Sequence, residues 1–255
     1  MSADFGNDPE FNDAVLKPGP ARGFRLPKLL VVLGVLALLI ALLLPATRSS
    51  RPAAARAQCV NNLKQIALAL HNYESAYKAF PPAYTVDPQG RPLHSWRTLI
   101  LPYLELDPLY QTIDLSKPWD DPANAKARET VLHVFHCPAA VGPGNTTTYR
   151  AVTVPNGCFL PREPRRLAEI TDALGSTLMV IEAGEEFAAP WMAPLDAGES
   201  LVMGFGPASK LHHAGGTNVG LVDGSVRFLK ANTPARVRRA LTSISGNDEV
   251  GDDEW

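Results

Sequence analysis

Leu29–Leu44 reads LLVVLGVLALLIALLL and contains no charged or polar side chain. Pro45 and Ala46 extend it to about 18 apolar residues, just enough to cross a hydrocarbon core of roughly 30 Å as a helix. A cleavable secretory signal is the first rival, but its apolar core runs only about 7–15 residues before a small-residue cleavage site. A buried soluble helix fits less well, because such a helix rarely lacks any polar position. Residues 29–46 are therefore read as a retained, single membrane span. Lys17, Arg22, Arg25 and Lys28 flank its N-terminal side, and Arg48, Arg51 and Arg56 the other. That bias, with a long foldable arm only after the span, predicts a cytoplasmic N-terminus and an extracytoplasmic C-terminal domain.

Residues 1–22 carry Asp4, Asp8, Glu10 and Asp13 among Gly, Asn and Pro, the composition of a disordered cytoplasmic arm. Beyond the span, Leu63, Ile66, Leu70, Tyr73 and Tyr77 recur at spacings of three and four, which lines one face of an α-helix. Phe80-Pro81-Pro82 stops it. All five residues are expected to be buried against a sheet. Further along, Leu132–Pro138 reads as a short extended segment, Thr147–Val154 as a strand, and Leu178–Glu182 as a buried strand. Asp121 or Asn124 is the expected cap of a short helix after Trp119.

The clearest hairpin joins residues 217–222 to 225–229 through Asp223-Gly224, which predicts a two-residue turn with positive φ at both central positions. Val219, Leu221, Val226 and Phe228 are its candidates for burial. Thr233-Pro234 opens a last helix with Val237, Leu241 and Ile244 on one face. Residues 247–255 form an acidic tail that is expected to fray.

The net charge of −2 gives no basic surplus, so nucleic-acid binding is excluded as a function class. The 23 prolines argue for a loop-rich domain of short elements. The three cysteines, Cys59, Cys137 and Cys158, form no Cys-x-x-Cys pair, so a zinc ribbon or a thioredoxin-like site is not expected. Outside the cytoplasm a disulfide is permitted. Cys137 with Cys158, or Cys137 with Cys59, are the candidates, against three inert thiols.

These pieces, in this order, resemble a bacterial family of prepilin-type proteins that end in a His, nine-residue, Asp-Gly domain. The motif falls on His213, Asp223 and Gly224, within His212-His213-Ala214-Gly215-Gly216 and Asp223-Gly224-Ser225-Val226. Cys59-Val60-Asn61-Asn62-Leu63, Phe80-Pro81-Pro82, Trp96, Leu101-Pro102-Tyr103-Leu104, Cys137-Pro138 and Ile170-Thr171-Asp172 carry the resemblance too. It implies an α+β, pilin-like fold: a long N-terminal helix, half transmembrane and half amphipathic, packed on an antiparallel β-sheet with loop-rich insertions. The implied organisation is an arm (1–22), a prepilin-like anchor (23–46), an extracytoplasmic domain (47–246) and the tail (247–255).

The resemblance also implies a pseudopilin-like envelope protein in the inner membrane, structural or associated with type II secretion or type IV pilus-like machinery. Its implied partners are other pilin-like subunits, that machinery and a prepilin peptidase cutting between Gly23 and Phe24. The alternative is a membrane-tethered binding module for polysaccharide, metal or a partner protein. Lys28 stands where the family has a glutamate, and an ammonium there repels the free amine it would otherwise pair with. No enzymatic activity, cofactor or metal is expected. His212 and His213, adjacent on a strand, would point to opposite faces and could not easily share one ion, although the Gly215-Gly216 that follows breaks regularity and leaves a metal site as the alternative to a structural role. His213 is expected to fix the loop through a backbone hydrogen bond. His133 and His136 flank Cys137 at ligand-like spacings without a second cluster.

Overall fold

The computed structural model describes residues 26–247, 250–251 and 254–255, with side chains from 27 to 41 and from 51 onward. The arm of residues 1–22 and the Gly23–Phe24 junction lie outside the described residues. The chain divides into two compact units, Met1–Ser49 and Ser50–Trp255. Helix α1 (Leu26–Tyr77) contributes its apolar run to the first unit and its amphipathic run to the second.

In the first unit the side chains from Leu29 to Ile40 are exposed on every side of the helix. Among the described residues no helix is long and apolar enough to cross a membrane. The run 29–46 itself continues past residue 41, beyond the described side chains of this unit.

The second unit is α+β. After α1 come β1 (Tyr84–Val86) and β2 (Pro92–Ser95), which pair antiparallel, then the short helices α2 (Trp96–Leu99), α3 (Asp107–Tyr110) and α4 (Ala125–Glu129). Next are β3 (Thr146–Thr147), β4 (Tyr149–Ala151), β5 (Leu178–Glu182), β6 (Ala189–Pro190), α5 (Glu199–Gly204), β7 (Gly216–Leu221), β8 (Val226–Lys230) and α6 (Ala235–Thr242). The main sheet runs in the order β4-β5-β7-β8, antiparallel throughout, and β3 pairs with β6 beside it.

Strand β5 is buried at all five positions because both faces of the sheet are covered. Met179 and Val180 join a core with Cys59, Leu63, Ile66 and Leu70 of α1, together with Phe80, Trp96, Phe135 and Trp191 from the long connections. Leu178 and Ile181 join a second core with Val219, Leu221 and Leu229, closed by Val202 of α5, Val237 and Leu241 of α6, and Trp255. Each such aliphatic side chain, fully removed from water, contributes about 1.5–3 kcal/mol.

The helical face holds at Leu63, Ile66 and Leu70, none more than 1% exposed. It fails at its end: Tyr73 is half-buried and Tyr77 is 64% exposed. Helix α1 terminates there, with Lys78 in the left-handed region at φ 62°. Tyr77 packs its ring on Tyr73 at 4.4 Å, past the reach of the core. The end of the helix is thus a tyrosine stack, not a core position.

Three other expectations need correction. Residues 132–138 form no strand; His133–Phe135 is a turn of 3-10 helix. The expected strand over 147–154 breaks into β3 and β4, which pair with different partners. The tail is not free at its end, since Trp255 is buried in the second core with Arg227 4.9 Å over its ring, and Glu254 meets Arg236 at 2.6 Å.

The β7–β8 hairpin forms, but through three residues. Leu221 faces Ser225 with its amide on the Ser225 carbonyl at 2.9 Å, and Gly224 donates to the Leu221 carbonyl at 3.0 Å. This is a type I turn followed by a left-handed residue. Only Gly224 has positive φ, at 84°. Asp223 stays at negative φ because its carboxylate takes the Ser225 amide at 2.8 Å and the Ser225 hydroxyl at 2.6 Å. Register then separates the four residues expected to share a face. Phe228 pairs with Asn218 and Val226 with Gly220, on the α1 side, where both are half-buried. Val219 and Leu221 lie on the opposite face and are fully buried.

Candidate functional site

Four chain segments meet where α1 crosses the main sheet. Helix α1 supplies Cys59, the end of β5 supplies Glu182, the turn after His133–Phe135 supplies Cys137, and the approach to β7 supplies His213. The donor atoms of the four all lie within 4.8 Å of one another. His213 Nε2 is 3.2 Å from Glu182 Oε2 and 3.8 Å from Cys137 Sγ. Cys59, Cys137 and Glu182 are at most 1% exposed and His213 is 6% exposed.

Local structure explains each placement. Asn62, one turn after Cys59 on α1, donates its amide to the carbonyls of His133 at 2.9 Å and His136 at 3.0 Å, which pins the Cys137 loop onto the helix. The His213 carbonyl accepts from the Gly216 amide at 3.3 Å, and Gly215 at φ 83° turns the chain into β7. A side chain at Gly216 would strike the β8 backbone, with Phe228 Cε1 2.8 Å away, so only glycine allows that approach. Asn218 of β7 donates to Glu182 Oε2 at 2.8 Å and aims the carboxylate at the cluster.

Electrostatics follow from this packing. The hydrogen bond from Cys137 pulls the Cys59 thiol down to about 6, against burial and with help from His213. The same contact, with burial, pushes Cys137 up. Burial would raise the Glu182 carboxyl, but His213, Cys137 and Asn218 hold it below its usual range. Burial would lower the His213 imidazole, yet Cys59 and Glu182 lift it to about 9. The packing thus shifts Cys59, Glu182 and His213 each toward its charged form within one buried cluster.

The sequence-derived site residues fall as follows. His213 belongs to the cluster, although its ring engages Glu182 and Cys137, not backbone. Neither histidine lies in a strand, β7 beginning only at Gly216; His212 stays outside the cluster, its Nδ1 3.6 Å from Glu185 Oε2. Asp223 and Gly224 cap the hairpin; a Cβ on Gly224 would lie 3.8 Å from the His71 ring. His133 and His136 serve the cluster through their backbone carbonyls. All three cysteines are free in this structure. Cys59 and Cys137 lie together without a disulfide between them, and Cys158, fully buried, stands outside the group.

Glu182 escaped the sequence reading. Its signal was a carboxylate closing an apolar strand, LMVIE, because a buried charge demands a partner. The ion pair of Arg97 and Asp196 escaped it too. Arg97 Nη1 lies 3.1 Å from Asp196 Oδ1, with both side chains sealed.

A helix laid on an antiparallel sheet, with a buried thiol–carboxylate–imidazole cluster at their junction, defines an α+β domain organised around an internal polar centre. The family described as a protein of unknown function (DUF1559) matches residues 48–196, more than half of the chain, and the chain belongs to that family. The matched span contains Cys59, Cys137 and Glu182 and ends before His213. No curated protein and no solved structure matches the chain.

Proposed function

We propose that this chain is a single-pass, membrane-anchored, pilin-like protein of the cell envelope, structural in role and associated with type II secretion or type IV pilus-like machinery. One observation carries the reading: Leu29 to Ile40 present large apolar side chains around the whole helix, 39–66% exposed. Apolar surface in water costs about 25 cal/mol per Å². The run extends to residue 46, the length a bilayer requires, and lipid or neighbouring helices of the same kind would cover it. The Ser50–Trp255 unit supports the reading by its form, a helix packed on an antiparallel sheet. Cys59, the thiol pulled down to about 6, is fully buried, which favours a structural role over catalysis.

A second reading, a tethered binding module, draws on Lys28. A pilin-like filament needs a carboxylate near the processed amine, and a lysine there opposes helix-to-helix assembly. A tether needs no such pairing. Mass spectrometry of the mature N-terminus from native membranes separates the two. A chain beginning at methylated Phe24 supports the pseudopilin reading, and an intact N-terminal arm supports the tether.

A further inference from the structure

We propose that Cys59 Sγ, Cys137 Sγ, a Glu182 carboxylate oxygen and His213 Nε2 bind one thiophilic divalent cation, zinc foremost, as a structural clasp between α1 and the main sheet. The inference does not depend on the membrane reading.

The donor set is the first argument. Two thiolates, an imidazole and a carboxylate are the ligand types zinc takes, at four positions, from four separate segments. With a divalent ion the set carries a net charge of −1, the same as a Cys3His site. Geometry is the second. A tetrahedral zinc with these ligands needs donor-to-donor edges of about 3.3–3.8 Å. The observed 3.2 Å from His213 Nε2 to Glu182 Oε2 and 3.8 Å to Cys137 Sγ are already such edges, and no other pair exceeds 4.8 Å.

Third, Glu182 Oε1 is buried and has no hydrogen-bond partner. A sealed carboxylate oxygen without a donor is costly, and a cation at the centre of the cluster satisfies it. Asn218 holds Oε2, the oxygen 3.2 Å from His213, at 2.8 Å, the kind of outer contact that orients a ligating carboxylate, and a cation beside that carboxylate can engage either oxygen or both. Access is the fourth. A hollow of about 420 Å³, lined by Leu211, His213, Gly215 and Asn232 among others, reaches His213 from the surface.

Two other readings of the cluster fit less well. A cysteine nucleophile with a histidine base needs substrate at the sulfur, and Cys59 has no exposure. A Cys59–Cys137 disulfide would leave Glu182 and His213 without a reason to converge on the same sulfurs.

The test is a cobalt titration of the full-length chain in detergent after stripping with chelator, with zinc content measured on the unstripped protein. The expected result is one zinc per chain as purified. One cobalt per chain should give intense tetrahedral ligand-field bands and a thiolate-to-cobalt charge-transfer band. C59A, C137A and H213Q should each lose or shift those bands, while C158A keeps them. N218A should retain the spectrum but weaken binding by about 10–100-fold. A pale octahedral spectrum, a thiolate band that survives C59A, or a Cys59–Cys137 disulfide in peptides from native membranes would overturn the proposal. The wild-type spectrum decides even if a ligand variant does not fold.

Discussion

Arg97 reaches across the domain to Asp196, Nη1 to Oδ1 at 3.1 Å, and both side chains are buried. Arg97 also donates to the carbonyls of Trp191 at 3.0 Å and Leu195 at 2.9 Å. Asp196 accepts from Trp96 Nε1 and from the Ala151 amide, each at 2.9 Å. One ion pair therefore ties the α2 segment, strand β4 and the loop after β6 together. Burial raises the Asp196 carboxyl and lowers the Arg97 guanidinium, with each opposing the effect on the other. Asp196→Asn strands a buried cation and should cost about 3–5 kcal/mol. Arg97→Met with Asp196→Asn should cost less than the sum of the single variants. Denaturant unfolding of the three proteins measures both; additive losses would contradict a direct pair.

The helical seam makes a paired prediction. Leu70 is fully buried, so Leu70→Ala should cost about 2–5 kcal/mol. Tyr77, about two turns past Leu70 and 64% exposed, should tolerate alanine within about 0.5 kcal/mol. Equal losses at the two sites, read from thermal or denaturant midpoints, would count against this packing.

Gly224 separates backbone strain from crowding. Its φ of 84° is a left-handed conformation, while an added Cβ would meet the His71 ring only at an ordinary 3.8 Å. Gly224→Ala should thus destabilise by about 1–2 kcal/mol through backbone strain alone. Gly224→Asn should recover much of that, since asparagine tolerates this region. An unfolding series in which Asn is no better than Ala would show that the turn is not strained as described.

The Cys59 thiol has a pH signature in the metal-free chain. Its titration should centre near 6, below an ordinary thiol. His213→Gln removes a hydrogen bond that stabilises the thiolate, so the titration should move up. Carbon-13 NMR of labelled cysteine side chains reads this directly. A midpoint that does not rise in the variant would remove His213 from contact with the sulfur.

Much of this domain was legible because local pattern and tertiary burial agree. Leu63, Ile66 and Leu70 repeat at helical spacing, residues 178–182 form an apolar run between turn signals, and Val237 and Leu241 line one face of α6, all buried as read. Ile244, expected on that same face, lies past the end of α6 at Thr242 and is buried in the first core instead. Failures arose where one residue decides register or where a segment ends. A three-residue loop in place of two puts Val226 and Phe228 on the other face from Val219 and Leu221. Tyr77 keeps the helical spacing after the sheet has ended. The cluster could not be read from spacing, because Cys59, Cys137, Glu182 and His213 come from segments that only the tertiary fold joins. Each looked ordinary alone: two isolated cysteines, a strand-end carboxylate and one histidine of a pair.

The anchored arrangement is the central claim, and protease accessibility in the native cell tests it most directly. Protease added to intact spheroplasts should digest the domain after residue 50 and leave a membrane-embedded fragment containing residues 29–46 that alkaline carbonate does not extract. A domain protected in spheroplasts but digested in inverted vesicles, or a chain released whole by carbonate, would contradict it.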